Sequence, residues 1–471
     1  MNVLDTRALP CTLFIIISLT FSIIQTTNAS SLDDDWKAFQ QTENQLFNDF
    51  RSEHDKAFTQ FLEEHWEEFD LFQGKTRDVT PKLPKAPVVK NWITSIYDKI
   101  GQTIFKEEPK AKNYKDSRFF FGHQINPIQF PSIDFPDLNH PNNKKLAQTW
   151  KQFSNIDHER TIQELSRHKK NLRLGDWGLY LYLDYLLQDQ LPAENQRISY
   201  LWFLLNKMNY DVKVAYDKTQ IFLMIPSDQT IYGKSFVEIK QVTYYMLKTK
   251  TDQSPLLSYP GKYSKNNQSF VVDFKNIIKP SGQKKSRDLN YKEGNSTTKI
   301  ELDFDTGISA MLNYYPQIDL VHYFSAQPDE TTIQSLRSQI STKLKGLSER
   351  ESINYLLNLT QTGFTYAKDQ QQFGEENYLL TEESLLYQAN DCEDRSIFLA
   401  WLIKDLLELR VIGLDFPGHI AIAVETKKET NDWHISSNGR SYVLADPTYI
   451  GAKAGMIMPS IKNEIPKVIN F

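Results

Sequence analysis

From residue 397 to 407 the chain reads Ile-Phe-Leu-Ala-Trp-Leu-Ile-Lys-Asp-Leu-Leu, apolar around almost the whole circumference of a helix. A surface helix keeps a polar face, so this run predicts a helix over about 392–409 enclosed by other elements. Behind it come three strand candidates, 411–414, 419–425 and 442–445, with β-branched or alternating side chains. Residues 340–471 are therefore expected to form an α+β core, a helix packed on an antiparallel sheet.

Cys392 opens that helix in the run Asn390-Asp391-Cys392-Glu393-Asp394-Arg395. The only other cysteine, Cys11, lies in a segment expected to be removed. A lone thiol cannot close an internal disulfide, which leaves inert burial or chemistry. Unpaired N–H groups at a helix start favour a thiolate, whereas Glu393 and Asp394 oppose one, so chemistry here requires a base. His419 follows Pro417-Gly418 at the head of a strand, and Asp446 ends the last strand before Pro447. Antiparallel pairing would bring the Asp446 carboxylate to one ring nitrogen of His419, while the other nitrogen takes the thiol proton. The Cys392 N–H is a candidate oxyanion donor, with Gln388 or Gln372 as a second. Taken singly, each has a plainer reading: Cys392 as a small core hydrophobe, His419 as a satisfied core histidine, Asp446 as a turn former. Zinc on these three residues is not expected, since paired cysteines and short His-x-x-x-His spacing are missing, and no other metal or cofactor is called for.

The amino terminus reads as an export signal: Arg7, an apolar stretch over 9–24, then Thr27 and Ala29 before Ser30, with cleavage after Ala29. That stretch falls short of the roughly 20 apolar residues a spanning helix needs. The expectation is an exported chain, periplasmic or extracellular, with no stable membrane span. What remains exceeds the about 250–300 residues at which one core stops growing, so several domains are expected. With 54 basic and 59 acidic residues there is no basic footprint for nucleic acid. Residues 30–88 read as amphipathic helix, with Phe58, Phe61, Trp66 and Phe69 among its aromatic positions, ending in a proline linker at 81–87. Residues 89–248 read as mixed α/β and 249–339 as a β-rich accessory region.

Two further patterns bear on function. The run 197–207, followed by 212–216 and 221–225, repeats the rhythm of 395–404, 411–414 and 420–424, setting Glu194 at the place of Cys392 and Gln220 at that of His419. A second scaffold without the chemistry predicts one strand order for both stretches; chance repetition of a common helix–strand–strand unit predicts different ones. The phrases Phe364-Thr365-Tyr366, Asp369 to Glu375, Glu382 to Leu385, Asp391 to Arg395, Pro417-Gly418-His419 and Leu444 to Tyr449 together resemble the transglutaminase-like superfamily of papain-like cysteine enzymes, especially its exported bacterial branch. The resemblance covers about 340–455. It implies Cys392 as nucleophile, His419 as base and Asp446 as orienting acid in a thiol hydrolase or acyltransferase acting on a protein or peptide substrate. Relatives of this kind include peptidases, deamidases, cross-linking enzymes and proteins without catalysis. A non-enzymatic binding or scaffold protein on the same fold is therefore the competing expectation, and the oligomeric state is open.

Overall fold

Helices packed against antiparallel sheets make this a mixed α+β protein. The computed structural model describes residues 52–75, 118–248 and 255–471, except 127, 129, 264–267, 276, 279–281 and 375, together with 37, 38 and 42. The expected export signal with Cys11, the proline linker and residues 89–117 lie outside the described residues.

A first sheet is built from β1 (Glu67–Phe69), β4 (Lys213–Tyr216), β5 (Ile221–Pro226), β6 (Phe236–Ile239), β7 (Val242–Met246) and β8 (Leu256–Ser258). Its strand order is β1-β8-β4-β5-β7-β6, antiparallel throughout. A separate small hairpin joins β2 (Arg118–Phe120) to β3 (His123–Ile125). Ahead of β4 the described residues hold a helical run at 52–64 and then α1 (Asn143–Ser154), α2 (Glu159–Asn171), α3 (Asp176–Gln188) and α4 (Glu194–Lys207). Because side chains alternate along a strand, Val214, Ile221, Leu223 and Ile225 join the core that holds α4, while Ala215, Phe222 and Met224 line the opposite face. Strands β1 and β8 come from beyond the expected segment limits at 88 and 248, so those limits do not bound the sheet.

The middle region is only half β. A ten-residue hairpin pairs β9 (Lys284–Glu293) with β10 (Ser296–Asp305) around Gly294, whose φ of +62° suits the first position of a two-residue turn. Three helices follow: α5 (Gly307–Leu312), α6 (Leu320–Phe324) and α7 (Glu330–Leu344). Asp329 caps α7 by accepting from the Thr331 and Thr332 N–H groups, and Leu336 and Ile340 are buried on one stripe.

In the last part, α8 (Glu349–Gly363) starts at a Ser348–Glu351 capping box. Next come β11 (Thr365–Tyr366), α9 (Asp369–Gln372), α10 (Thr381–Leu386) and β12 (Ala389–Asn390), then α11 (Cys392–Leu406). The final strands are β13 (Val411–Phe416), β14 (His419–Glu425), β15 (His434–Ser437), β16 (Arg440–Ala445) and β17 (Lys467–Ile469). They form an antiparallel sheet of order β15-β16-β14-β13-β17. Helix α11 is enclosed as its sequence demands, with Ile397, Phe398, Leu399 and Leu402 buried. Each such side chain contributes roughly 1.5–3 kcal/mol on leaving water. His434 opens the edge strand β15 and is exposed. Excluding β1, the two sheets have the same order: a helix, then five strands A to E, arranged C-D-B-A-E.

Candidate functional site

The sheet register sets the site. Phe416 pairs with His419 across the two-residue Pro417-Gly418 turn, where Gly418 has a φ of +70°. A proline followed by a positive-φ glycine is the pattern of a type II turn, and it places His419 at the first position of β14. Ile422 pairs with Ala445 on β16, so Asp446 leaves its strand alongside His419. Their side chains meet: His419 Nε2 lies 2.9 Å from Asp446 Oδ2, with both residues buried.

Asp446 is held from its other oxygen as well. Oδ1 accepts from the Thr448 N–H (2.9 Å), the Thr448 hydroxyl (3.0 Å) and the Tyr449 N–H (3.2 Å). Burial alone would raise the carboxyl, but the His419 ring and the Thr448 donors outweigh it and hold Asp446 below its ordinary range. An ionised carboxylate can only accept, so the hydrogen bond puts the proton of a neutral His419 on Nε2. Nδ1, also buried, has no hydrogen-bond partner among the described residues, and in the neutral ring of that tautomer it carries the lone pair.

Cys392 is brought to the same corner without being bonded to the histidine. The Ile420 N–H, next in the chain after His419, faces the sulfur, and the Ser396 hydroxyl one turn along α11 donates to the Ile420 carbonyl (3.1 Å). The thiol itself donates to Glu393 Oε2 at 2.9 Å. It is 2% exposed, and burial followed by the charges of Glu393 and Asp391 pushes its ionisation well above the ordinary thiol range. The expected pairing of His419 with Asp446 is present; a Cys392–His419 hydrogen bond is not.

Around the thiol lies a set of carboxyls that the sequence did not bring together. Asp369, Glu376, Asp391 and Glu393 each offer an oxygen, and these four oxygens lie within 4.8 Å of one another. Asp391 is fully buried, and burial followed by the charges of Glu393 and Asp394 raises its carboxyl well above the ordinary range. Burial, then the charges of Asp394 and Glu393, pushes Asp369 up to about 10. An all-oxygen set of this kind is what a hard divalent cation such as Ca²⁺ or Mg²⁺ takes, in contrast to the sulfur and nitrogen ligands of zinc. Asp369 opens the short helix α9 and Glu376 lies in the loop after it, both well before Asp391, so no spacing rule joins them. Parallel pairing of β11 with β12 joins Tyr366 to Asn390 and carries that segment to the head of α11. Of the two nominated oxyanion donors, Gln388 is exposed, and the Gln372 side-chain nitrogen is buried without a partner among the described residues. A shallow polar cavity sits at the far end of β14, lined in part by Glu349, Arg410, Glu425 and Lys427.

No family model matches the chain, and neither a curated protein nor a solved structure does. Among the described residues, no helix is long and apolar enough to cross a membrane.

Proposed function

We propose that residues 340–471 form a transglutaminase-like thiol enzyme, exported from the cell, that acts on peptide or side-chain amides of a protein or peptide substrate. The observation that carries this reading is the buried His419–Asp446 pair, with Nδ1 left as a free acceptor one residue from the Ile420 N–H that faces the Cys392 sulfur. In the reaction, the thiol proton passes to His419 Nδ1 and the sulfur bonds to the amide carbon. The resulting oxyanion is met by the Cys392 N–H at the start of α11. Collapse breaks the C–N bond, His419 returns its proton to the departing amine, and a thioester remains on Cys392. Water then attacks the thioester, giving a proton to His419, and the carboxylic acid leaves as the thiol is restored. An amine in place of water yields a new amide.

One observation favours a second reading, a binding protein on this scaffold: the resting thiol is closed off and bonded to Glu393 rather than to the histidine. Resting enzymes often tighten such contacts only with substrate bound, so the resting Cys392–Glu393 bond is compatible with the enzyme reading. Peptide hydrolysis, glutamine deamidation and amine incorporation, assayed in wild type, Cys392→Ala and Asp446→Asn, separate the two. At least one activity should be lost in Cys392→Ala and fall sharply in Asp446→Asn. A folded wild-type protein inert in all three assays, with Cys392 also unreactive to a thiol-directed acyl probe, sinks the enzyme reading.

A further inference from the structure

We propose that Gln361 and Arg395 are positioning residues that fasten the loop carrying Asp446 to the helix carrying Cys392. The proposal rests on the acyl-transfer reading above. Gln361, buried in the last turn of α8, gathers four backbone groups of one loop. Its side-chain amide donates toward the carbonyls of Asp446 (3.0 Å), Tyr449 (2.8 Å) and Ala452 (3.1 Å), while its Oε1 accepts from the Gly451 N–H (3.1 Å). Arg395 lies three residues after Cys392, almost one turn along α11. Its guanidinium donates to the carbonyls of Phe364 (2.8 Å), Gln361 (3.4 Å) and Pro447 (3.5 Å) and sits 5.3 Å from the centre of the Tyr366 ring.

A buried guanidinium whose hydrogen bonds go to carbonyls is a costly way to fill space, since an apolar side chain would fill it without desolvating a charge. What it achieves is a bridge. Arg395 reaches Pro447, the residue after Asp446, and the Gln361 carbonyl, so α8, α11 and the loop 446–452 are tied at one point. One oxygen of Asp446 is oriented by that loop, through Thr448 and Tyr449, and the other is held by His419 on β14. Loosening Gln361 therefore moves the carboxylate and, through it, the imidazole.

The test is NMR on isotope-labelled protein, reading the His419 Nε2 proton in its hydrogen bond to Asp446, alongside the rate at which an acyl probe labels Cys392. The variants are Gln361→Met, Gln361→Asn and Arg395→Lys, with Asp446→Asn as reference. Gln361→Met should melt as a folded protein yet lose or shift the His419 proton signal, with the labelling rate down by roughly 10- to 100-fold, the scale of a small misplacement of reacting groups. Gln361→Asn, one methylene short, should give an intermediate signal and rate, and Arg395→Lys should act in the same direction. The exposed His434 should be unchanged in every variant. If Gln361→Met and Gln361→Asn leave signal and rate at wild-type values while Asp446→Asn changes both, the positioning role is overturned and the enzyme reading stands. If Asp446→Asn also leaves the rate unchanged, the acyl-transfer reading falls, and this proposal with it.

Discussion

At the scale of single residues, the resting thiol is governed by its neighbour. Glu393 accepts the S–H at 2.9 Å, and after burial its charge is the largest influence holding Cys392 protonated. Replacing Glu393 by Gln keeps the size of the side chain and removes the charge. Cys392 should then ionise at lower pH, and the rate of iodoacetamide alkylation at pH 7 should rise, about tenfold for each unit by which the thiol is lowered. Stopped-time alkylation with mass-spectrometric readout measures this; a rate equal to or below wild type would show that burial alone sets the thiol. Glu383, on α10, makes a second residue-level case. Burial, reinforced by Glu382 and Asp394, raises it to about 8 despite a hydrogen bond from the Leu380 N–H (3.0 Å). A raised carboxyl stabilises the fold fully below its unfolded value and loses that contribution as pH climbs through about 8. The melting temperature should therefore fall between about pH 4.5 and 8, and Glu383→Gln should flatten that part of the profile.

Among the elements, α11 and the β13–β14 hairpin were legible because each obeys one strong local rule. The helix is apolar all round, and the hairpin is a Pro-Gly turn between alternating runs. Phe398 is fully buried, edge-on to Phe364 with ring centres 5.0 Å apart, so Phe398→Ala should cost about 3–5 kcal/mol in denaturant melts. A cost below about 1 kcal/mol would mean that α11 is not the centre of the core. Less visible were elements whose patterns compete. Strand β15, His-Ile-Ser-Ser, is polar because it lies at a sheet edge, and the Thr- and Ser-rich α7 resembles strand in composition while burying Leu336 and Ile340 at helical spacing. For the site, His419 and Asp446 could be paired from strand order alone. Asp369, Glu376 and Gln361 could not, because they reach the corner through β11 pairing and helix packing, which leave no periodic mark.

Over the whole molecule, one hydrophobic core runs from Phe58 through Trp202 and Phe304 to Phe398 and Ala445. The two sheets that flank it can be laid on one another by register. With Tyr216↔Ile221 set on Asp415↔Ile420, and Met224↔Met246 on Ala423↔Leu444, Gln220 falls on His419 and Lys248 on Asp446. Asn195 Oδ1 accepts from the Ile221 N–H (3.0 Å), the counterpart of the N–H that faces the Cys392 sulfur. Beside it, Glu194 and Lys248 form an exposed ion pair at 2.8 Å. Exposed pairs contribute about 0–1 kcal/mol, so Glu194→Gln and Lys248→Ala should shift denaturant midpoints little and leave Cys392 labelling unchanged.

That shared strand order makes the chain its own control experiment. One strand order occurs twice in a single molecule, once with thiol, imidazole and carboxylate at its corner and once with Glu194, Asn195, Gln220 and Lys248. Any probe, peptide or cation offered to the protein meets both corners under identical conditions. Binding that follows the Cys392 corner alone reports the chemistry of those side chains, and binding to both reports only the shape of the sheet.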